Sequence, residues 1–153
     1  MTDVHPIPEG FHTVTPHLIV KGAAQAIDFY KEAFGAEEIS RMAGPGGKLM
    51  HAELRVGTSR LLLADEFPEW GSHGPNPKDT GAMSIHLFVE DVDAVFRRAI
   101  EAGAKPLMSV SDQFWGDRYG KIEDPFGHHW SIATRKENLT PEQILERAPT
   151  IGR

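Results

Sequence analysis

The sequence predicts an α+β protein made of two tandem β-α-β-β-β modules followed by a C-terminal helix. Three observations carry this. The run Thr15–Val20 (TPHLIV) recurs as Ser84–Val89 (SIHLFV), which places His17 on His86, Leu18 on Leu87 and Val20 on Val89. Each copy leads into apolar residues at three-to-four spacing, the period of a half-buried helix. Each helical pattern then gives way to β-rich runs parted by Gly and Pro clusters.

In the first module, Ala23, Ala26, Ile27, Tyr30, Ala33 and Phe34 form one stripe, and Gly35 stops the helix. Strands are expected at about 36–43, 48–56 and 60–65, with Gly44-Pro-Gly-Gly47 as a turn. Between Glu66 and Gly81, Pro68, Gly71, Gly74, Pro75 and Pro77 read as a linker or lid. In the second module Asp91 is the expected N-cap, Val92, Val95, Phe96, Ala99 and Ile100 form the stripe, and Gly103 ends it. Strands follow at about 105–110, 117–123 and 129–134, with Asp124-Pro-Phe-Gly127 as the last turn. Thr140, Pro141 and Gln143 spell a capping box for a final helix carrying Ile144, Leu145 and Ala148. The domain reading is therefore one unit over 1–136, with modules at about 13–66 and 82–135 and a linker over 67–81. A helix and tail occupy 137–153.

Composition narrows the function classes. A chain of 153 residues, 40% hydrophobic and 25% charged, is long enough for a sizeable core. The absence of cysteine excludes a disulfide scaffold, thiolate metal sites and a cysteine nucleophile. A formal charge of −6 with no Lys/Arg cluster argues against a nucleic-acid partner. The longest uninterrupted apolar run, Leu61 to Ala64, is far short of a membrane span, and no signal-peptide pattern opens the chain. The expectation is a soluble cytoplasmic protein with no membrane partner.

Three stretches carry a family resemblance: Ala26–Ala36 (AIDFYKEAFGA), Val89–Ala94 (VEDVDA) and Glu123–Trp130 (EDPFGHHW). They resemble the vicinal oxygen chelate superfamily of glyoxalases, bleomycin-resistance proteins and extradiol dioxygenases. Phe114–Gly120 (FWGDRYG) before the last stretch is similar to the PhnB-like subgroup. The resemblance implies a curved mixed sheet around a cavity and a homodimer in which modules pair across copies, with the C-terminal helix as a candidate contact. It also implies metal-ligand positions, which fall here at Thr15, Ser84 and Ser131, with an acid near Leu63 to Asp65. Hydroxyls are poor ligands for a divalent transition metal, so the inherited site reads as degenerate and no cofactor is expected, a divalent metal being the alternative.

His17 and His86 lie two residues beyond the lost ligand positions and so share their strand faces. Two imidazoles there can bind a ligand, hold a metal or move protons; the plain alternative is a hydrogen-bonded pair kept from gene duplication. His51 and Glu53 alternate on one strand face and are further candidates, Glu53 and Asp65 as weak metal ligands beside the two histidines. Arg118 offers a fork for a carboxylate or phosphate beside Trp115, or else a local ion pair; Phe88 completes the expected ligand contacts. His128 and His129, adjacent on a strand, point to opposite faces and are read as structural. Two functions follow: a protein that binds a small aromatic or anionic molecule in a sheet-lined cavity, or a metal- or histidine-dependent lyase, isomerase or dioxygenase using His17 and His86.

Overall fold

Local signals place the elements close to where the sequence sets them. The computed structural model describes residues 3–78 and 81–149; the expected linker over 67–81 includes two residues outside that range, and the expected tail beyond 149 lies outside it. In the first module, β1 (His17–Val20) leads into α1 (Ala23–Phe34), followed by β2 (Glu37–Ala43), β3 (Leu49–Val56) and β4 (Ser59–Asp65). Helix α1 ends because Gly35 takes a left-handed φ of 68°, letting its N–H return to the Lys31 carbonyl. The second module repeats the order with β5 (Ser84–Phe88), α2 (Val92–Glu101), β6 (Lys105–Asp112), β7 (Asp117–Glu123) and β8 (His129–Arg135). Asp91 caps α2 by accepting from the Ala94 N–H. Here the C-cap is Ala102 in the right-handed region, and Gly103 turns the chain one residue later. A short helix, α3 (Pro141–Arg147), starts at the expected capping box of Thr140 and Gln143.

Each module is a four-stranded mixed sheet, in order β1-β4-β3-β2 and β5-β8-β7-β6. In each, the first strand pairs in parallel with the last, and two antiparallel pairings complete the sheet. The tandem repeat is thus real, and within one chain the two sheets are separate. Strand alternation decides what each face carries. Leu18, Val20, Ala52, Leu54, Leu61 and Leu63 of the first sheet, and Trp130, Ile132 and Ile122 of the second, are buried in one shared core with α1 and α2, which pack on each other. The opposite faces are covered by neither α1 nor α2; on the first sheet the Gly10–Phe11 segment lies over Arg60.

The modules are stitched at the Asp124 turn. Its buried carboxylate accepts from the Tyr30 hydroxyl at 2.6 Å, the Trp130 indole at 2.9 Å, and the N–H groups of Phe126 and His128. Burial, with the Asp124 charge second, pushes the Tyr30 phenol well above its ordinary pKa. Around it Tyr30, Phe34 and Trp130 pack ring against ring, Phe34 to Trp130 at 4.8 Å. His128 adds a bond from its side chain to the Ile19 carbonyl on β1, 2.9 Å away. Of the apolar residues of helix α3, Ile144 and its C-cap Ala148 are half-buried while Leu145 is 76% exposed.

Candidate functional site

The open face of the first sheet carries His17 on β1, Leu62 on β4 and Glu53 on β3 in one cross-strand row. The His51 ring stands edge-on to His17 with centroids 6.3 Å apart. Arg60, on the same face of β4, holds its Nε 3.8 Å from Glu53.

The second sheet presents the corresponding row His86, Ser131 and Lys121. His86 Nδ1 and Ser131 Oγ share a 2.6 Å hydrogen bond. The His86 ring stacks on Tyr119 at 5.9 Å and meets Phe88 edge-on at 4.6 Å, and Trp115 stands edge-on to Tyr119 at 5.4 Å. Beside this aromatic platform, buried Asp117 accepts from Trp115 Nε1 and Arg135 Nε, and the Arg135 guanidinium lies over Phe88. The surface suits a flat, partly apolar molecule with hydrogen-bonding edges.

A cleft of about 1230 Å³ runs between the modules. The segment before β1 and the β3–β4 hairpin form one wall, β5 and the start of α2 the other, and Phe34 with Trp130 lie within it. Thr15 and Arg60 line the first wall, His86 and Phe88 the second.

The expected site residues therefore separate into two groups. His86, Ser131, Phe88 and Trp115 meet on the second sheet, with Ser84 exposed further along the same strand face. His17, His51 and Glu53 meet on the first, with Thr15 just ahead of β1. The structure sets His17 against His51 on the first sheet and His86 against Ser131 and Tyr119 on the second.

Two expectations are corrected. Arg118 is not a free anion grip, because its guanidinium already donates to Asp93 on α2 and to Asp112. Asp65 is not available as a metal ligand: buried, it accepts from the N–H groups of Gly22 and Ala23 at the start of α1 and from Leu49. With Asp65 committed and Ser131 bound to His86, no set of three His, Asp or Glu side chains among the described residues converges as a metal cage. The donors of one chain therefore do not fit the metal that the resemblance implies. Tyr119 and Arg60 are site residues that sequence reasoning missed. Their only signal was period-two alternation with Asp117 and with Leu62.

Burial lowers the pKa of His17, with His51 adding to the effect, and lowers that of His86 against a smaller opposing pull from Asp117. Both shifts favour the neutral imidazole. The unfolded chain, with an ordinary value near 6.5, takes up protons first as the pH falls, so stability is full above that value and declines below it. Urea midpoints are expected to fall between pH 7 and pH 5.5, and His17→Gln with His86→Gln to flatten that slope. An unchanged slope would mean that other groups set it.

Residues 10–132 match the model of the Glyoxalase/Bleomycin resistance protein/Dioxygenase superfamily, and the chain belongs to that superfamily. Among its relatives is the uncharacterized protein Mb0911c of Mycobacterium bovis, 46% identical over 134 residues that cover 86% of this chain and 88% of the relative. The crystal structure of the Arabidopsis thaliana At5g48480 product is similar at a TM-score of 0.65 with 26% identity, covering 80% of this chain and 98% of that one. The PhnB protein from Bacillus cereus shares the fold at a TM-score of 0.65 and 21% identity, over 80% of this chain and 99% of that one. The chain is PhnB-like in fold. Among the described residues, no helix is long and apolar enough to cross a membrane.

Proposed function

We propose that the protein binds a small aromatic or anionic molecule in a sheet-lined cavity completed by a second copy of the chain. The observation that carries this is the division of the site into two half-sites on separate open sheet faces, each beside a strand that pairs on one side only, β1 in the first sheet and β5 in the second. Unpaired strand edges invite pairing with another chain. Ile85 to Val89 line the cleft without a break, the mark of a strand edge rather than a face, and Phe88 stands 62% exposed there. In a two-fold dimer the first sheet of one copy faces the second sheet of the other, setting His17 and His51 opposite His86 and Tyr119. With no cysteine to oxidise, the chain suits the cytoplasm.

A second reading is a histidine- or metal-dependent lyase, isomerase or dioxygenase. It is favoured by the two imidazoles, where burial favours the neutral form whose nitrogens can accept a proton or a metal. Light scattering at micromolar concentration tests the dimer, and a monodisperse monomer would remove it. Elemental analysis of untagged protein, then Ni, Mn, Zn and Fe titration after chelation, separates the readings. Near-stoichiometric, tightly rebound metal supports the enzyme; no rebinding supports the organic-ligand binder.

A further inference from the structure

Among the described residues, Arg60 is the arginine with a buried guanidinium nitrogen that meets no acceptor. The guanidinium groups of Arg41, Arg55, Arg118, Arg135 and Arg147 each donate to a carboxylate. Arg60 Nη1 is buried and meets no acceptor. Its ion-pair partner among the described residues, Glu53, stands 3.8 Å from Nε, beyond hydrogen-bond length. The side chain is 20% exposed, lies beneath the Phe11 ring at 5.8 Å, and lines the cleft between the modules. A buried guanidinium N–H without an acceptor is destabilising, and in a folded protein such a group calls for a functional or structural partner.

The N-terminal segment is shaped around this group. Gly10 has a φ of +85°, and a Cβ built there would come within 2.6 Å of Arg60 Nη2. Glycine lets the backbone lie directly on the guanidinium, and the turn closed by the Phe11 N–H on the Pro8 carbonyl sets Phe11 over it. From Asp3 to Pro16 this segment forms no strand or helix. Phe11 and the Gly10 backbone lie over Arg60, and the Pro16 carbonyl accepts from the Leu62 N–H where the segment enters β1.

We propose that Arg60 is the oxyanion anchor of the binding site: its guanidinium receives a carboxylate or phosphate group of the ligand beneath the Gly10–Phe11 segment. The fork geometry of arginine suits two parallel bonds to such a group, and Phe11 supplies an apolar roof for the atoms attached to it. Glu53, near but not bonded, keeps the empty group from repelling its surroundings and yields to a closer acceptor. This inference rests on the reading of the chain as a small-molecule binder but not on its copy number.

The test uses the full-length protein with benzoate and inorganic phosphate as probes and benzyl alcohol as the uncharged control. The readout is the Arg60 Nε–Hε cross-peak in nitrogen-15 spectra, assigned from its loss in Arg60→Lys. The expected result is a saturable shift of that peak with benzoate and phosphate and none with benzyl alcohol. Arg60→Gln should weaken benzoate binding by about tenfold to a hundredfold, the worth of a charge-assisted pair. Arg60→Lys should keep part of the phosphate affinity and lose most of that for planar benzoate.

Arg60→Met should melt at or above the wild-type temperature, since it removes an unpaired buried donor and keeps the packing volume. An Arg60 peak unmoved at saturating probe, binding in Arg60→Gln within twofold of wild type, or a lower melting temperature in Arg60→Met would each overturn the assignment. The wild-type spectrum does not depend on any variant folding. Binding of a fluorescent anilinonaphthalene sulfonate dye in parallel separates the two levels. Dye binding without an Arg60 response sinks the anchor and leaves the binding site; no binding of dye or probe sinks both.

Discussion

Asp124→Ala is expected to cost about 3–5 kcal/mol of folding stability, read as a lowered urea midpoint with an unchanged slope. The carboxylate is 3% exposed and takes four donors, two of them side chains from different parts of the core. Removing it leaves the Tyr30 hydroxyl and the Trp130 indole N–H unpaired where water does not reach, each a penalty of about 1–3 kcal/mol. It also frees the turn that Asp124 closes on Phe126 and His128. Tyr30→Phe provides the graded control: it removes one donor together with its need for an acceptor and keeps the ring packing, and should cost about 1–2 kcal/mol. A loss in Asp124→Ala no larger than in Tyr30→Phe would show that the carboxylate merely decorates the turn.

Mixing two disabled variants should restore binding that neither has alone. His17→Ala with His51→Ala disables the half-site on the first sheet; His86→Ala with Tyr119→Ala disables that on the second. If each cavity draws one sheet from each copy, a mixed dimer contains one cavity with both halves intact and one with neither. Random reassortment through unfolding and refolding then returns about a quarter of the wild-type sites, by two-fold symmetry alone. Dye fluorescence titration counts them. If each cavity belongs to one chain, every chain in the mixture is disabled and the signal stays at the level of the separate variants. The experiment thus distinguishes a shared cavity from a private one without knowledge of the natural ligand.

Much of the fold was legible because its punctuation is local. Gly35, Asp91 and the Thr140–Gln143 pair act on backbone groups within a few residues, and the helix boundaries they mark are those of the structure. The duplicated His-Leu pattern likewise set β1 and β5 in equivalent places.

The site was less legible, since its partners are distant in the chain. Arg118 reads as an open fork until α2 brings Asp93 against it. Asp65 reads as a ligand until the start of α1 places two N–H groups on it. Pseudo-symmetry assigns His17 and His86 the same role in their modules, but not a meeting point. That depends on which sheet faces the helices cover, a choice made by the packing of α1, α2 and Trp130 together. Arg60 looks like any solvated basic residue flanking the apolar run Leu61 to Ala64. Only the chain segment folded over it, fifty residues earlier in the sequence, sets it apart.

The stitches between modules also bear on how the chain folds. Tyr30 meets Asp124 across 94 residues, and His128 reaches Ile19 across 109. Each closes a loop spanning most of the chain before it contributes anything, a topology that slows folding. On the ribosome the first module emerges with Tyr30 and Phe34 lacking the turn and the indole that later cover them. Its helix therefore waits for the end of synthesis with an aromatic cluster exposed. The half-built chain is the stage most open to aggregation, and the last strand is the part that ends it.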